Sequence, residues 1–191
     1  MNRDSRLNPA NLITLFRILI VPVVVLLLYS SGDHRQIPFA RSVAAFSLFV
    51  FASVTDLFDG YIARRYHMVT SLGKLLDPLA DKLLVCAAMI MLVTPARVPA
   101  WMVVIVVARE IGVTALRGVA SSEGFVIAAS KLGKAKTLLL NIGVAALILH
   151  YPLAGLDTHL VGMVFLVAGL FLTAWSGLDY FFRFVGEIFK K

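Results

Sequence analysis

Six apolar runs, covering residues 11–29, 40–61, 75–93, 101–119, 136–151 and 160–182, occupy most of a chain of 191 residues. Each is close to the ~20 residues that an α-helix needs to cross the hydrocarbon core of a bilayer. In lipid, backbone N–H and C=O groups must find partners within their own segment, so runs of this kind fold as helices. Pro and Gly punctuate the gaps between them, among them Gly32, Pro38, Gly73, Pro95, Pro99, Gly124, Gly133, Pro152 and Gly155. Composition points the same way. Apolar residues make up 60% of the chain and charged residues 15%, against roughly 25% charged in a soluble domain. The mean hydropathy is +0.89. The expected fold class is therefore an all-α integral membrane protein with six transmembrane helices, forming a single domain over residues 1–191. The first run reads as a retained span rather than a cleaved signal, because it is long, Arg17 interrupts it and no small-residue cleavage site follows. Cys86, the single cysteine, excludes a disulfide framework and a cysteine-built metal site.

Charge orients the helices. The formal net charge is +7, from 18 Lys and Arg against 11 Asp and Glu. The basic residues are interleaved with apolar helices and form no long tract, so they suit membrane lipid and anionic substrates rather than nucleic acid. With the N-terminus inside, 15 of the 18 fall on the inner side, and only Arg35, Arg41 and Arg97 fall outside. The positive-inside rule then places both termini in the cytoplasm.

The acidic residues are concentrated where a membrane protein can least tolerate them. Asp56, Asp59, Asp77 and Asp81 fall at the inner ends of the second and third runs. A carboxylate near the bilayer interior costs at least ~2.5–3.5 kcal/mol, so four need a reason. Asp56 and Asp59 are three apart and Asp77 and Asp81 four apart, so each pair shares a helix face. Gly60, Ala63 and Gly73 lie near those faces and would let helices or a ligand approach closely. One resolution is divalent metal: hard oxygen donors without His or Cys suit Mg²⁺ or Mn²⁺ rather than zinc, and four carboxylates suffice for two ions. The other is that Arg64, Arg65, Lys74 and Lys82 neutralise the acids as structural ion pairs.

Read in order, the residues are Asp56-x2-Asp59-Gly60-x2-Ala63-Arg64-x8-Gly73-x3-Asp77-x3-Asp81. This resembles, without a mismatch, the D-x2-D-G-x2-A-R-x8-G-x3-D-x3-D signature of the CDP-alcohol phosphotransferase family. The resemblance implies six transmembrane helices, a homodimer, and two Mg²⁺ or Mn²⁺ ions per subunit near the cytoplasmic face of the cell (inner) membrane. It implies transfer of a phosphatidyl or related group from a CDP-linked donor to an alcohol, with release of CMP. By that likeness Asp56, Asp59 and Asp77 are metal ligands, and Asp81 is the general base and a further ligand. Gly60, Arg64, Thr70 and Ser71, with Asp56, match positions that hold the CDP-diacylglycerol donor. The same likeness adds nucleotide contact to the helix-capping role that Asn11 and Thr14 would otherwise have.

Further stretches are similar to the phosphatidylglycerophosphate synthase subgroup, whose acceptor is glycerol 3-phosphate. They are Asn11-Leu-Ile-Thr14-Leu-Phe-Arg17, Arg109-Glu110 with Ala115-Leu116-Arg117, Ser130-Lys-Leu-Gly133-Lys134-Ala-Lys136-Thr137, and Trp175-Ser176 with Tyr180. Leu140 departs from that subgroup, which often carries glutamine there. Glycerol 3-phosphate is a small dianion and calls for a cationic pocket. Arg109, Arg117, Lys134 and Lys136, at the inner end of the fourth helix and in the loop after it, are the candidates for its phosphate. Snorkelling of positive-inside residues would also place them there. Arg109 and Arg117 are eight apart, about 12 Å along a helix, so they would not grip one phosphate together unless the helix bends. Glu110 would orient Arg109 or simply neutralise it.

Among smaller features, Trp101, Trp175 and Tyr180 read as interfacial anchors, Cys86 as helix packing, and Asp33 and Asp157 as solvated outer charges. His67, His150 and His159 receive no function. Rival readings are another acceptor alcohol, such as an inositol phosphate or serine, a small cation transporter using the four acids, and a structural scaffold.

Overall fold

The computed structural model describes residues 9–30, 36–65, 71–123, 131–153 and 155–188, with side chains outside 9–14, 56–79, 81, 131–132, 134 and 188. The described residues form six α-helices: α1 Pro9–Leu28, α2 Phe39–Arg65, α3 Ser71–Met91, α4 Ala100–Ser122, α5 Lys131–Leu149 and α6 Thr158–Ile188. The all-α, six-helix expectation holds, but several helices outrun their apolar runs. α2 continues to Arg65, α3 begins at Ser71, α5 begins at Lys131 and α6 continues to Ile188. Charged side chains carry no large helix penalty, so hydropathy marks where apolar surface ends and not where the helix does. One helix among the described residues, over Thr158–Glu187, is both long and apolar enough to cross a bilayer. Among the described residues, Leu15–Leu28, Phe39–Thr55, Lys82–Met91 and Ala135–Leu149 are shorter apolar helical stretches.

The connections α1–α2, α3–α4 and α5–α6 gather at one end of the bundle, and their chemistry is specific. After α3, the Leu92 carbonyl accepts from the N–H groups of Arg97 (3.0 Å) and Val98 (3.2 Å). Ala96 takes φ 57° in this turn. Pro99 precedes α4 in extended conformation, where its missing N–H costs nothing. After α5, His150 takes φ 61°, and its N–H donates to the Ala146 carbonyl at 2.9 Å. Asp157, read from sequence as a solvated charge, caps α6: its Oδ1 accepts from the N–H groups of His159 (2.9 Å) and Leu160 (3.1 Å). Such a cap satisfies donors that the first helical turn leaves unpaired.

Two of the three arginines that broke the charge asymmetry act as fasteners here. Arg41 Nη2 donates to the carbonyls of Leu26 and Tyr29 at the end of α1, each at 2.7 Å. Arg97, 2% exposed, donates to Ile148 O (2.6 Å), to Leu147 O and Ile37 O (3.4 Å each) and to Ser42 Oγ (3.1 Å). It thereby ties the α3–α4 turn to the end of α5 and the start of α2. Tyr151 Oη donates to Ile37 O at 2.8 Å and packs edge-on against Phe39. Arg35 lies outside the described residues.

The core runs between the helices as one cluster, with Val24, Leu28, Phe49, Ala88, Met89, Leu92, Val106, Val144, Leu147, Ile148 and Leu166 all nearly or fully buried. α1 packs on α2 and α3, α2 on α5, α4 on α6, and α5 most extensively on α6. The α5–α6 contact is backbone on backbone. A Cβ at Gly143 would sit 2.8 Å from Leu166 N, and one at Gly162 would sit 2.6 Å from Leu147 Cγ and 3.0 Å from Gly143 O. Outside the core, large apolar side chains face outward, including Leu19, Leu26, Val104, Ile111, Leu160, Phe171 and Phe182. A surface of that kind fits hydrocarbon rather than water.

Candidate active site

The half of the bundle opposite the fastened end holds the residues singled out in the sequence. Asp56 and Asp59 lie on α2 and Asp77 and Asp81 on α3. Because both helices are longer than their apolar runs, the acids are not at helix ends. They stand about 9–15 Å along the axis from Arg65 and Ser71. Gly60, Ala63 and Arg64 share the last turns of α2, Ser71 opens α3, and Thr70 lies outside the described residues. Asn11 and Thr14 lie within α1, which already includes Pro9, so neither is an N-cap. The side chains of these residues lie outside the described set. Arg17, on the same helix, is buried at 3% exposure and lines a crevice with Phe51, Ala52 and Thr55, one residue before Asp56. The burial of Arg17 beside the acidic half of α2 was not legible in the sequence.

The described side chains converge on Glu110. Its carboxylate accepts from Lys136 Nζ and from Arg109 Nη1 at 2.9 Å, and Lys82 Nζ stands 3.8 Å from Oε2. Three helices thus send one cation each toward one carboxylate: Lys82 from α3, Arg109 from α4, Lys136 from α5. Lys82 also donates to Thr114 Oγ1, whose hydroxyl donates to the Glu110 carbonyl at 2.6 Å. The partners of Lys82 among the described side chains are both on α4. Lys136 is 5% exposed, and Lys134 and Lys136 belong to the first turns of α5 rather than to a loop. The cluster borders a cavity of about 30 Å³ lined by Lys82, Glu110, Lys136, Thr137 and Asn141 on its polar side. Asn141 Oδ1 is buried there without a hydrogen-bond partner.

α6 braces the two arginines of α4. Arg109 Nη2 donates to Ser176 Oγ at 2.9 Å, and its stem crosses Gly177, where a Cβ would come within 3.1 Å of Arg109 Cγ. Arg117 sits over the ring of Tyr180 at 5.6 Å. Tyr180 is 6% exposed, so it is a buried cation–π partner and not an interfacial anchor. Arg109 and Arg117 therefore have separate partners, as their spacing along one helix requires. Sequence reading missed Glu110 as the centre. The available signal was a lone acid within an apolar run, which is costly unless paired.

The sequence profile of one family, CDP-alcohol phosphatidyltransferase, matches residues 7–175. The chain belongs to this family. The matched span takes in both signature helices, the Glu110 cluster and most of α6. The chain is 44% identical over 185 residues to a CDP-diacylglycerol–glycerol-3-phosphate 3-phosphatidyltransferase of Bacillus subtilis (strain 168), covering 91% of this chain and 93% of that protein. It is 39% identical to a protein of Mycobacterium tuberculosis named "Probable phosphatidylglycerophosphate synthase", covering 95% and 83%. It is 40% identical to a CDP-diacylglycerol–glycerol-3-phosphate 3-phosphatidyltransferase of Rickettsia typhi (strain ATCC VR-144 / Wilmington), covering 91% and 95%. The protein is thus an enzyme of CDP-alcohol phosphatidyl transfer, and the transporter and scaffold readings fall away.

Proposed function

We propose that the protein transfers the phosphatidyl group of CDP-diacylglycerol to the 1-hydroxyl of glycerol 3-phosphate, giving phosphatidylglycerol phosphate and CMP. The observation that carries this reading is the convergence of Lys82, Arg109 and Lys136 on a single carboxylate. Among the described side chains, three cations against one anion leave an excess of two positive charges, which suits the phosphate of a small dianion. Lys82 directly follows Asp81 in α3, so this charge lies beside the acidic signature. The relatives' names support the same acceptor.

In this reading the donor's diphosphate lies against Asn11, Thr14, Asp56, Gly60, Arg64, Thr70 and Ser71, and its acyl chains lie in lipid. Glycine admits the nucleotide to the backbone, and the arginine fork offers paired donors to the diphosphate. Asp56, Asp59, Asp77 and Asp81 form a donor set of hard oxygens that fits Mg²⁺ or Mn²⁺, two ions per subunit. When bound, such ions offset diphosphate charge and make CMP a better leaving group. Lys82, Arg109 and Lys136, with Lys134 from the first turn of α5, receive the acceptor's phosphate and fix its 1-hydroxyl toward the donor, while Arg117, held over Tyr180, stands apart from that phosphate. Asp81 takes the hydroxyl proton. The alkoxide oxygen forms a bond to the phosphorus that carries diacylglycerol, the bridging P–O bond to CMP breaks, and CMP leaves with the electron pair. One membrane domain of six spans, with both termini and the site cytoplasmic and with two copies paired, completes the reading. The charge asymmetry and the outward apolar side chains support its membrane part.

Purified protein supplied with CDP-diacylglycerol and separate alcohols tests it by CMP release. Release should require glycerol 3-phosphate, with glycerol, serine and inositol phosphate poor substitutes. Equal release with serine or inositol phosphate would assign another acceptor.

A further inference from the structure

We infer that Glu110 is a positioning residue for the acceptor phosphate: its carboxylate gathers Lys82, Arg109 and Lys136 from three helices and holds them as one pre-formed cationic cradle. This rests on the glycerol 3-phosphate reading above. Nothing in the signature requires an acid at this place, and Glu110 is the sole acidic residue of α4. Its burial excludes a solvated role, since its side chain is 14% exposed and two of its partners are at 14% and 6%.

The geometry explains why a carboxylate is needed. Lys136 and Arg109 both donate to the same oxygen, Oε1, and Lys82 approaches the other, Oε2. Without the anion the three cations, crowded in a medium of low polarity, repel one another. Each belongs to a different helix, so repulsion would be relieved by side chains turning apart, and the cradle would have to be rebuilt each time a phosphate bound. A binding site that is already assembled avoids that cost. Arg109 has a second brace in Ser176 on α6, and Lys82 has one in Thr114 on α4. Among the described residues Lys136 has Glu110 as its hydrogen-bond partner, so Lys136 is the cation that loses most when Glu110 changes. Lys82 adds a link to chemistry. It follows Asp81 in α3, so the carboxylate that holds it also fixes the height of α3 relative to the acceptor's phosphate.

The test is steady-state kinetics with the full-length protein in lipid–detergent micelles, following CMP release for the parent, Glu110→Gln, Glu110→Asp and Ser176→Ala. Glu110→Gln keeps size and removes charge. Its KM for glycerol 3-phosphate should rise about tenfold or more while the KM for CDP-diacylglycerol changes less than about twofold, in line with losing a charge-assisted anchor. Glu110→Asp keeps the charge and shortens the reach, so it should restore part of that loss. Ser176→Ala frees the other end of Arg109 at constant charge and should raise the same constant at least about threefold. Where Glu110→Gln does not fold, Glu110→Asp decides the matter, since its KM for glycerol 3-phosphate should exceed the parent's while that for CDP-diacylglycerol holds. A merely structural carboxylate predicts lower thermal midpoints with both constants unchanged in the folded fraction, and that result overturns the proposal. So does a KM that falls, which would mean that Glu110 competes with phosphate for the cations. A parent that releases CMP without any need for glycerol 3-phosphate overturns the functional reading itself, and the proposal with it. The parent's own acceptor dependence therefore separates the two failures.

Discussion

Asp81 and Arg109 divide the proposed reaction into proton removal and phosphate holding, and single substitutions separate the two. Asp81→Asn preserves size and removes the proton acceptor, so donor binding should persist while turnover falls by about 10²–10⁴, the usual worth of a positioned base. A near-normal rate in that variant would place the base elsewhere. Arg109→Gln and Lys134→Gln should raise the KM for glycerol 3-phosphate about ten- to hundredfold, the loss of one charged hydrogen bond. The KM for CDP-diacylglycerol should barely move, and a change below twofold in both variants would remove them from the acceptor pocket. The places of these residues in the family's order and spacing were legible, because a motif is a local pattern. Their partners were not. Glu110 meets Lys136 across 26 positions and Arg109 meets Ser176 across 67, and no local pattern encodes contacts between helices.

Helix pairing shows the same division among elements. The small residues read from the sequence, Gly60, Ala63 and Gly73, lie outside the described side chains, and a close approach that the structure does describe is α5 on α6 through Gly143 and Gly162. Leu140, which looked like a departure from the subgroup, is 4% exposed and its Cδ2 fills the space over Gly169, where a Cβ would stand 2.9 Å away. Gly143→Ala pushes a methyl into the Leu166 backbone, so it should cost about 1–3 kcal/mol by overpacking and lower the thermal midpoint. Gly118→Ala, where a Cβ meets nothing within 4 Å, should cost nothing by crowding. Equal midpoints for the two would show that α5 and α6 are free to separate. Glycine identity was visible in the chain, but whether a given glycine faces backbone, side chain or open space depends on the rotation of each helix about its axis.

At the scale of the whole molecule the two ends of the bundle answer to different variables. Removing divalent ions should abolish CMP release at the acidic end, with Mg²⁺ or Mn²⁺ restoring it better than Ca²⁺, which prefers a looser and larger shell. Full activity in excess chelator would refute the metal reading. The fastened end answers to pH. Burial, then Arg97 and the neighbouring His159, lower the His150 pKa from its ordinary value of 6.5, with Asp157 opposing them. Arg97 itself is brought down to about 10 by burial and stays charged at neutral pH. The folded state therefore holds a proton on His150 less readily than the unfolded chain does. Its contribution to stability is complete above about 6.5 and is lost as pH falls through the lowered folded value. The thermal midpoint should drop between pH 7 and pH 5, and His150→Asn, which tolerates the positive φ, should flatten that drop. A parallel pH dependence in the variant would assign it to other groups. By itself the sequence determined that the chain is helical, where its six helices lie to within a few residues, and where the family signature with its four carboxylates falls. Those properties follow from the local hydropathy of a run and from fixed spacings along one helix. Only the tertiary structure decided that Glu110 gathers three cations, that Arg41 and Arg97 close helix ends, and that Asp157 and Tyr180 are a cap and a buried partner. Each of these depends on which face of one helix meets which face of another, and an apolar pattern shared by both faces leaves that undetermined until the helices pack.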